Sequence, residues 1–204
     1  MHRVSWRLAH RGTRHARRRR EWFAHRRAVD TIGRTIVLGL GDPQGGDGAV
    51  GWAVAGEVRR LLGESPVIGA EVRECTRSDP GLIDLLSGFS RALLVECVEG
   101  DGAPPGRLRR LDCRKCAERA RAAGTPRACL GAAVERADGL GVSLPIPIEV
   151  LGIAAANALT AHDALSPGVA AVVPRVARAI HEWLSAPSEA LALPEALFDR
   201  SRGV

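Results

Sequence analysis

The stretch IVLGLGDPQGGDGAVGWAVAGEVRRLL, residues 36–62, decides the fold class of this chain. It joins an apolar run typical of a buried strand, residues 36–40, to a glycine-rich turn and then to an amphipathic helix that begins near Ala49. In α/β sheets, ligands bind at the carboxyl ends of the strands. The turn carries Asp42 and Asp47 and no basic residue, so we predict that it lies in an acidic cleft.

Downstream of this unit, short β-rich runs alternate with helical patterns, as a mostly parallel sheet with helices on both faces requires. Further strands are expected at residues 71–75, 92–98 and 148–154, with an edge strand that ends near Leu111. A final helix begins at Ser166-Pro167, a cap followed by proline in the first turn. We therefore predict a three-layer α/β sandwich whose twisted sheet has about five strands.

The charge of the chain divides it into three parts. The formal net charge is +6 over 204 residues, but residues 1–30 hold ten arginines against two acids and so carry +8. We expect residues 1–33 to be a disordered basic extension, residues 34–186 to form one α/β domain, and residues 187–204 to be a weakly structured tail. Only the basic extension offers a surface for RNA or DNA, so nucleic-acid binding is not expected of the domain.

No targeting signal is recognisable in the sequence. No apolar stretch of about 7 to 15 residues follows the basic run, as an export signal would need, and no segment reaches the roughly 18 apolar residues of a membrane span. Five cysteines, an odd number, argue against a secreted disulfide scaffold. We predict a cytoplasmic protein without a membrane partner.

Five motifs occur in the order that is typical of one enzyme family: GLGDPQGGDGAVG (39–51), LLVEC (93–97), PGRLRRL (105–111), EVLGI (149–153) and LSPGVAAVVPRV (165–176). Between Thr35 and Leu184 the chain thus resembles the hydrogenase maturation proteases, the nickel-sensing endopeptidases that remove the C-terminal extension of a nickel–iron hydrogenase large-subunit precursor. The resemblance implies an aspartic or metal-dependent hydrolase that activates another enzyme, nickel in the substrate-recognition site, and the large-subunit precursor as partner.

The resemblance also assigns site residues. Asp47 and Glu96 take the positions of catalytic carboxylates, and Glu96 keeps an oxygen ligand where the family has a metal-binding aspartate. Gly48 and Arg127 stand where the family has its other two ligands, an acid and a histidine. The family's structural turn is represented by Gly39, Gly41, Asp42 and Gly51. Two of three ligands are therefore replaced, and peptidase activity is expected to be impaired.

Two chemistries could fill such a site. Arginine cannot ligate a cation because its guanidinium has no free lone pair, so Arg127 is predicted to pair with Glu96 or Asp47 in place of the metal. Alternatively, Cys75, Cys97 and Cys129 could converge as soft ligands for zinc, copper(I) or nickel.

Three other functions stay open at this point. The chain could be a scaffold that binds the hydrogenase partner without cleaving it. It could be a nucleotide-binding α/β protein that uses GLGDPQGG as a phosphate loop, although its acids would repel a phosphate. It could also bind RNA or an anionic surface through the basic extension alone.

Overall fold

The computed structural model describes residues 33–76, 81–98, 102–112, 133, 136–137, 139–156, 164–186 and 192–198. Its centre is a five-stranded sheet in the order β2-β1-β3-β5-β4. The strands are β1 (Thr35–Leu40), β2 (Ala70–Cys75), β3 (Arg91–Val98), β4 (Leu108–Leu111) and β5 (Ile148–Ala154). The first three and β5 run parallel, whereas β4 pairs antiparallel with β5 at one edge. The predicted fold class is confirmed.

Among the elements that the structure describes from end to end, three helices and two short 3₁₀ turns accompany the sheet. The helices are α1 (Val50–Glu64), α2 (Leu82–Leu86) and α3 (Pro167–Ser185), and the 3₁₀ turns are Gly46–Ala49 and Glu195–Leu197. The helix predicted to begin near Ala49 begins at Val50, directly after the first 3₁₀ turn. Pro167 occupies the first turn of α3 directly after Ser166, where a proline costs no helical hydrogen bond.

Alternating side chains of the strands enter two separate cores, one on each face of the sheet. On the first face, Val37, Leu93 and Leu151 pack with α1 and α3, which also contact one another. On the second face, Leu38, Leu94 and Val150 pack with α2 and with Ala133 and Ala137. The sheet is therefore the middle layer of three, as the sequence predicted.

Two glycines let α1 lie directly on the sheet. A Cβ atom at Gly51 would lie 2.3 Å from the carbonyl oxygen of Leu40 and 2.5 Å from that of Val95. A Cβ atom at Gly39 would lie 2.2 Å from the carbonyl oxygen of Gly51. The first turn of α1 is thus held against the ends of β1 and β3, because neither position carries a side chain.

Part of the C-terminal tail differs from the expectation of a weakly structured end. Leu193 and Leu197 are buried in the first-face core. Arg110 of β4 donates to the carbonyl oxygen of Leu193 at 2.8 Å, pairs with Glu195, and lies 4.9 Å from the ring centre of Phe198. The apolar pattern of the tail is too short to predict packing from the sequence. The tail is buried only because it contacts the edge strand.

Within the described residues, none of the helices combines the length and the apolarity that a membrane crossing requires.

Candidate functional site

The glycine-rich turn after β1 is closed by hydrogen bonds of its own backbone. The amide of Gly45 donates to the carbonyl of Asp42 at 3.0 Å, and that of Gly48 to the carbonyl of Gly45 at 2.7 Å. The amide of Asp42 reaches the carbonyl of Gly48 at 3.3 Å. The Asp42 carboxylate accepts from the amide of Gln44 at 3.0 Å. A Cβ atom at Gly41 would lie 2.0 Å from the Gly48 carbonyl oxygen, so the turn needs glycine there.

This closure bears on the phosphate-loop alternative. A phosphate loop binds its ligand through backbone N–H groups that point away from the chain. Here four amides of the turn, those of Asp42, Gln44, Gly45 and Gly48, donate to acceptors inside the turn. The described geometry therefore gives the nucleotide-binding interpretation no support.

Asp47 is a buried carboxylate with three identified donors. Its side chain lies in the 3₁₀ turn, and the residue is 2% exposed. Oδ1 accepts from the amide of Ser166 at 2.6 Å. Oδ2 accepts from the Ser166 hydroxyl at 2.9 Å and from the amide of Ala156 at 2.9 Å. A carboxylate offers about four lone-pair sites, so most of its acceptor capacity is used within the protein.

Through these hydrogen bonds, Asp47 connects three parts of the fold. It connects the turn after β1 with the chain just beyond β5 and with the N-cap of α3. Its negative charge lies at the amino end of a 19-residue helix, where the helix dipole stabilises an anion. Sequence reasoning identified the carboxylate and missed its partner Ser166, although the cap signal Ser166-Pro167 pointed to a helix start in need of an acceptor.

Gly48 follows Asp47 in the same turn. It is buried and has no side chain to offer a ligand atom. Its backbone amide and carbonyl are both engaged by the turn. No side chain at this position can supply the acidic ligand that the resemblance predicts.

Glu96 lies near the carboxyl end of β3 and is half-buried. Because Val95 and Cys97 enter the first-face core, Glu96 between them belongs to the second face. The strand register pairs Glu96 with Gly152 of β5, and Gly152 in turn with Arg109 of β4. Leu108 and Leu111 pack on the first and second face respectively, so Arg109 also belongs to the second face.

Arg109 is thus a cation on the same face of the sheet as Glu96, and the sequence motifs did not single it out. It lies two strands from Glu96, in register with Gly152 between them, and the side chains of Val98 and Leu111 fill the space over that glycine. The motif PGRLRRL contained it, but its relation to Glu96 depends on the antiparallel register of β4, which spacing along the chain does not reveal.

The proposed cysteine site does not form from its two described members. Cys97 is buried in the first-face core and Cys75 in the second-face core, so the two thiols lie on opposite sides of the sheet. The Cys75 thiol donates to the carbonyl oxygen of Thr76 at 3.2 Å. Their strands do end at the same edge, as predicted. Side chains alternate between the two faces along a strand, however, and these two cysteines occupy positions that face opposite sides of the sheet. Cys129 lies outside the described residues.

A resident metal does not fit the part of the chain that the structure describes. No group of three or more histidine, cysteine, aspartate or glutamate side chains is placed there to hold an ion. Arg127 lies outside the described residues, so its pairing with Glu96 or Asp47 stays a prediction.

Several solved structures are similar to this architecture. The hydrogenase maturating endopeptidase HybD from E. coli is similar with a TM-score of 0.58 at 17% identity, over 72% of this chain and 89% of that one. A hydrogenase 2 maturation peptidase from a Thaumarchaeota archaeon gives 0.52 at 25% identity, over 74% and 97%. The [NiFe] hydrogenase maturation protease HybD from Thermococcus kodakarensis gives 0.55 at 23% identity, over 75% and 99%. No protein-family model and no curated protein matches the chain.

Proposed function

We propose that this chain, which has the fold of the hydrogenase maturation endopeptidases, acts on the large-subunit precursor of a nickel–iron hydrogenase. The structural comparison confirms the resemblance that the five motifs indicated. The observation that carries the proposal is the match to a maturation peptidase over 97% of its length at 25% identity. Retention of Glu96 at the end of β3 supports it, because this position keeps a carboxylate at the carboxyl edge of the sheet.

We assign different tasks to the two retained acids. Asp47 is a positioning residue, since its oxygens accept bonds from Ser166 and Ala156 and its side chain is buried. Glu96 is half-buried at the end of a central strand and is the group that contacts the partner. Nickel, in this proposal, belongs to the precursor as part of the substrate, and Glu96 supplies one oxygen toward it.

A second candidate is a scaffold that binds the same precursor without cutting it. Two observations favour it: Gly48 offers no ligand atom, and the Asp47 carboxylate is engaged by three donors. A peptidase site that polarises a peptide bond needs a group able to activate water or the carbonyl. Of the two acids that the resemblance assigns as catalytic, Asp47 and Glu96, only Glu96 is left for that task.

The experiment is to incubate the full chain with a nickel-loaded large-subunit precursor. Binding is measured by calorimetry, and cleavage by intact mass spectrometry of the precursor. We expect a stable complex. Loss of the C-terminal extension identifies an endopeptidase, and an intact precursor in the complex identifies a scaffold.

Two variants sharpen the result. Glu96→Gln removes the charge at the end of β3 and is expected to weaken binding at least tenfold, about 1.4 kcal/mol. Glu64→Gln removes an exposed acid at the end of α1 and is the matched control, expected to bind as the unchanged chain does. Failure of the unchanged chain to bind the precursor, with or without nickel, would refute the proposal.

A further inference from the structure

Strand β2 lies at one end of the sheet and pairs with β1 through every second residue. The amide of Gly41, directly after β1, donates to the carbonyl of Cys75 at 3.1 Å, so the odd-numbered residues of β2 turn their backbone groups toward β1. The backbone groups of Val72 and Glu74 point the other way, and no strand that the structure describes pairs with them. We call this side of residues 70–74 the outer edge. Such an edge is a template for another strand.

The side chains of β2 give the outer edge a pattern of alternating charge on one face. Ala70 and Val72 pack against the first-face core, so Glu71 and Arg73 belong to the second face. These two form an ion pair, and the side chain of Arg73 stays 44% exposed and that of Glu71 31%. Arg34 also pairs with Glu71, at 3.1 Å. A strand beside the outer edge would therefore meet an acid and a base two positions apart.

A second copy of β2 matches this pattern in one register. Two copies joined through the same edge pair antiparallel about a two-fold axis. Pairing centred on Val72 places Glu71 of each copy directly opposite Arg73 of the other. A centre at Glu71, Arg73 or Glu74 places that residue opposite its own copy, and like charges directly opposite are destabilising. A centre at Ala70 gives up both acid–base pairs. The charges therefore select the centre at Val72.

The first face of the outer edge leaves room for this pairing. Arg59 of α1 donates to Glu74 at 2.6 Å and reaches the carbonyl oxygen of Val72 at 3.4 Å. A carbonyl oxygen has two lone pairs, so that of Val72 can accept the Val72 amide of a second copy while Arg59 stays bound to Glu74. At the axis, valine meets valine, a β-branched pair that suits a sheet.

We propose that the outer edge of β2 binds the outer edge of a second copy of this chain, antiparallel and centred on Val72, so that two sheets join into one. Glu71 and Arg73 of the two copies then form a ring of four alternating charges on the second face. A carboxylate offers about four lone-pair sites, so Glu71 can accept from both arginines. The carboxyl edges of the two sheets point in opposite directions, and each candidate site keeps its own edge. This inference does not depend on the proposed function.

The test is sedimentation velocity of the full chain over a range of protein concentrations, and we expect a transition from monomer to dimer. Glu71→Arg and Arg73→Glu each place like charges opposite one another, and each is expected to weaken the dimer roughly tenfold or more. The double exchange Glu71→Arg/Arg73→Glu returns opposite charges to both pairs and is expected to restore the dimer. Glu182→Arg makes the same change of charge at an exposed position of α3 and is the matched control, expected to dimerise as the unchanged chain does.

Hydrogen exchange of the unchanged chain locates the interface without any substitution. The amides of Val72 and Glu74 are expected to exchange more slowly as protein concentration rises, whereas those of Glu71 and Arg73, which are directed at β1, should not change. Four results would overturn the proposal: a chain that stays monomeric at every concentration, a dimer that both single exchanges leave intact, a double exchange that folds without restoring the dimer, or a dimer in which the Val72 amide is not protected.

Discussion

The Asp47 carboxylate accepts two hydrogen bonds from Ser166, one from its amide at 2.6 Å and one from its hydroxyl at 2.9 Å. The two residues are 119 positions apart in the chain. Their contact joins the turn that follows the first strand to the start of the last helix. An acid that motif comparison places among the catalytic groups thus has an identified structural task in this protein.

Replacing Asp47 with alanine is expected to lower the free energy of unfolding by about 3 kcal/mol. The reason is that buried donors of Ser166 and Ala156 lose their charged acceptor and are left without a hydrogen bond. Urea denaturation followed by circular dichroism measures the change. Asp42→Ala is the matched control. Asp42 is exposed and accepts from one amide of its own turn, so its loss should cost less than about 1 kcal/mol. Equal losses of unfolding free energy in the two variants would contradict the assignment of Asp47 as the residue that connects these parts of the fold.

Two glycines of α1 are expected to respond in opposite directions to alanine. Gly51→Ala places a methyl group 2.3 Å from the Leu40 carbonyl oxygen, which is backbone and cannot move aside cheaply. We expect a loss of about 2–3 kcal/mol from overpacking. Gly56→Ala, five residues further along the same helix, places a Cβ atom that meets nothing within 4 Å and should stabilise the protein by about 0.5–1 kcal/mol. Thermal unfolding of both variants measures the two changes in stability. Stabilisation by Gly51→Ala would refute the close contact between α1 and the sheet.

Arg110 is expected to hold the C-terminal tail on the edge strand. Arg110→Ala removes the bond to the Leu193 carbonyl, the pair with Glu195 and the contact with Phe198. Native-state hydrogen exchange should show faster exchange at the Leu197 amide, which donates to Pro194 in the docked tail. The comparison variant is Arg60→Ala, which removes an exposed arginine paired only with α1 acids among the described residues. Unchanged exchange at Leu197 in Arg110→Ala would show that Leu193 and Leu197 hold the tail without it.

Cys75 and Cys97 are expected to contribute no shared metal site. Because they enter cores on opposite faces, the purified protein should contain the same amount of zinc, copper and nickel whether these cysteines are present or not. Elemental analysis of the unchanged chain, Cys75→Ala and Cys97→Ala measures this. A stoichiometric metal that is lost in both variants would show that the thiols meet after all.

Much of the fold was predictable from the sequence because its signals are local. The apolar run 36–40, the glycine turn and the stripe of α1 each depend on residues a few positions apart, and all appear in the structure close to the predicted bounds. The edge strand at residues 108–111 was predicted in the same way, from alternating charges after prolines. The tail at residues 192–198 was not, because its two buried leucines become informative only once β4 and Arg110 lie beside them.

The candidate site was predictable only as a set of residues. Asp47 could be placed at the ligand-binding edge because it lies in the turn after β1, whereas Glu96 was selected through the family resemblance of the motif LLVEC. What each carboxylate does could not be predicted, since Asp47 meets Ser166 through the packing of α3 against α1, and Glu96 is aligned with Arg109 through two strand pairings.

By itself, the sequence determined the layered α/β architecture, the glycine turn and the acids at the carboxyl edge, because periodicity, turn chemistry and capping act over a few residues. Only the tertiary structure decided that Asp47 connects the turn after β1 with the start of α3, that Cys75 and Cys97 lie on opposite faces of the sheet, and that Arg109 shares a face with Glu96. Those relations depend on strand register, on the parity of each side chain and on contacts between elements more than a hundred residues apart, which no local pattern encodes.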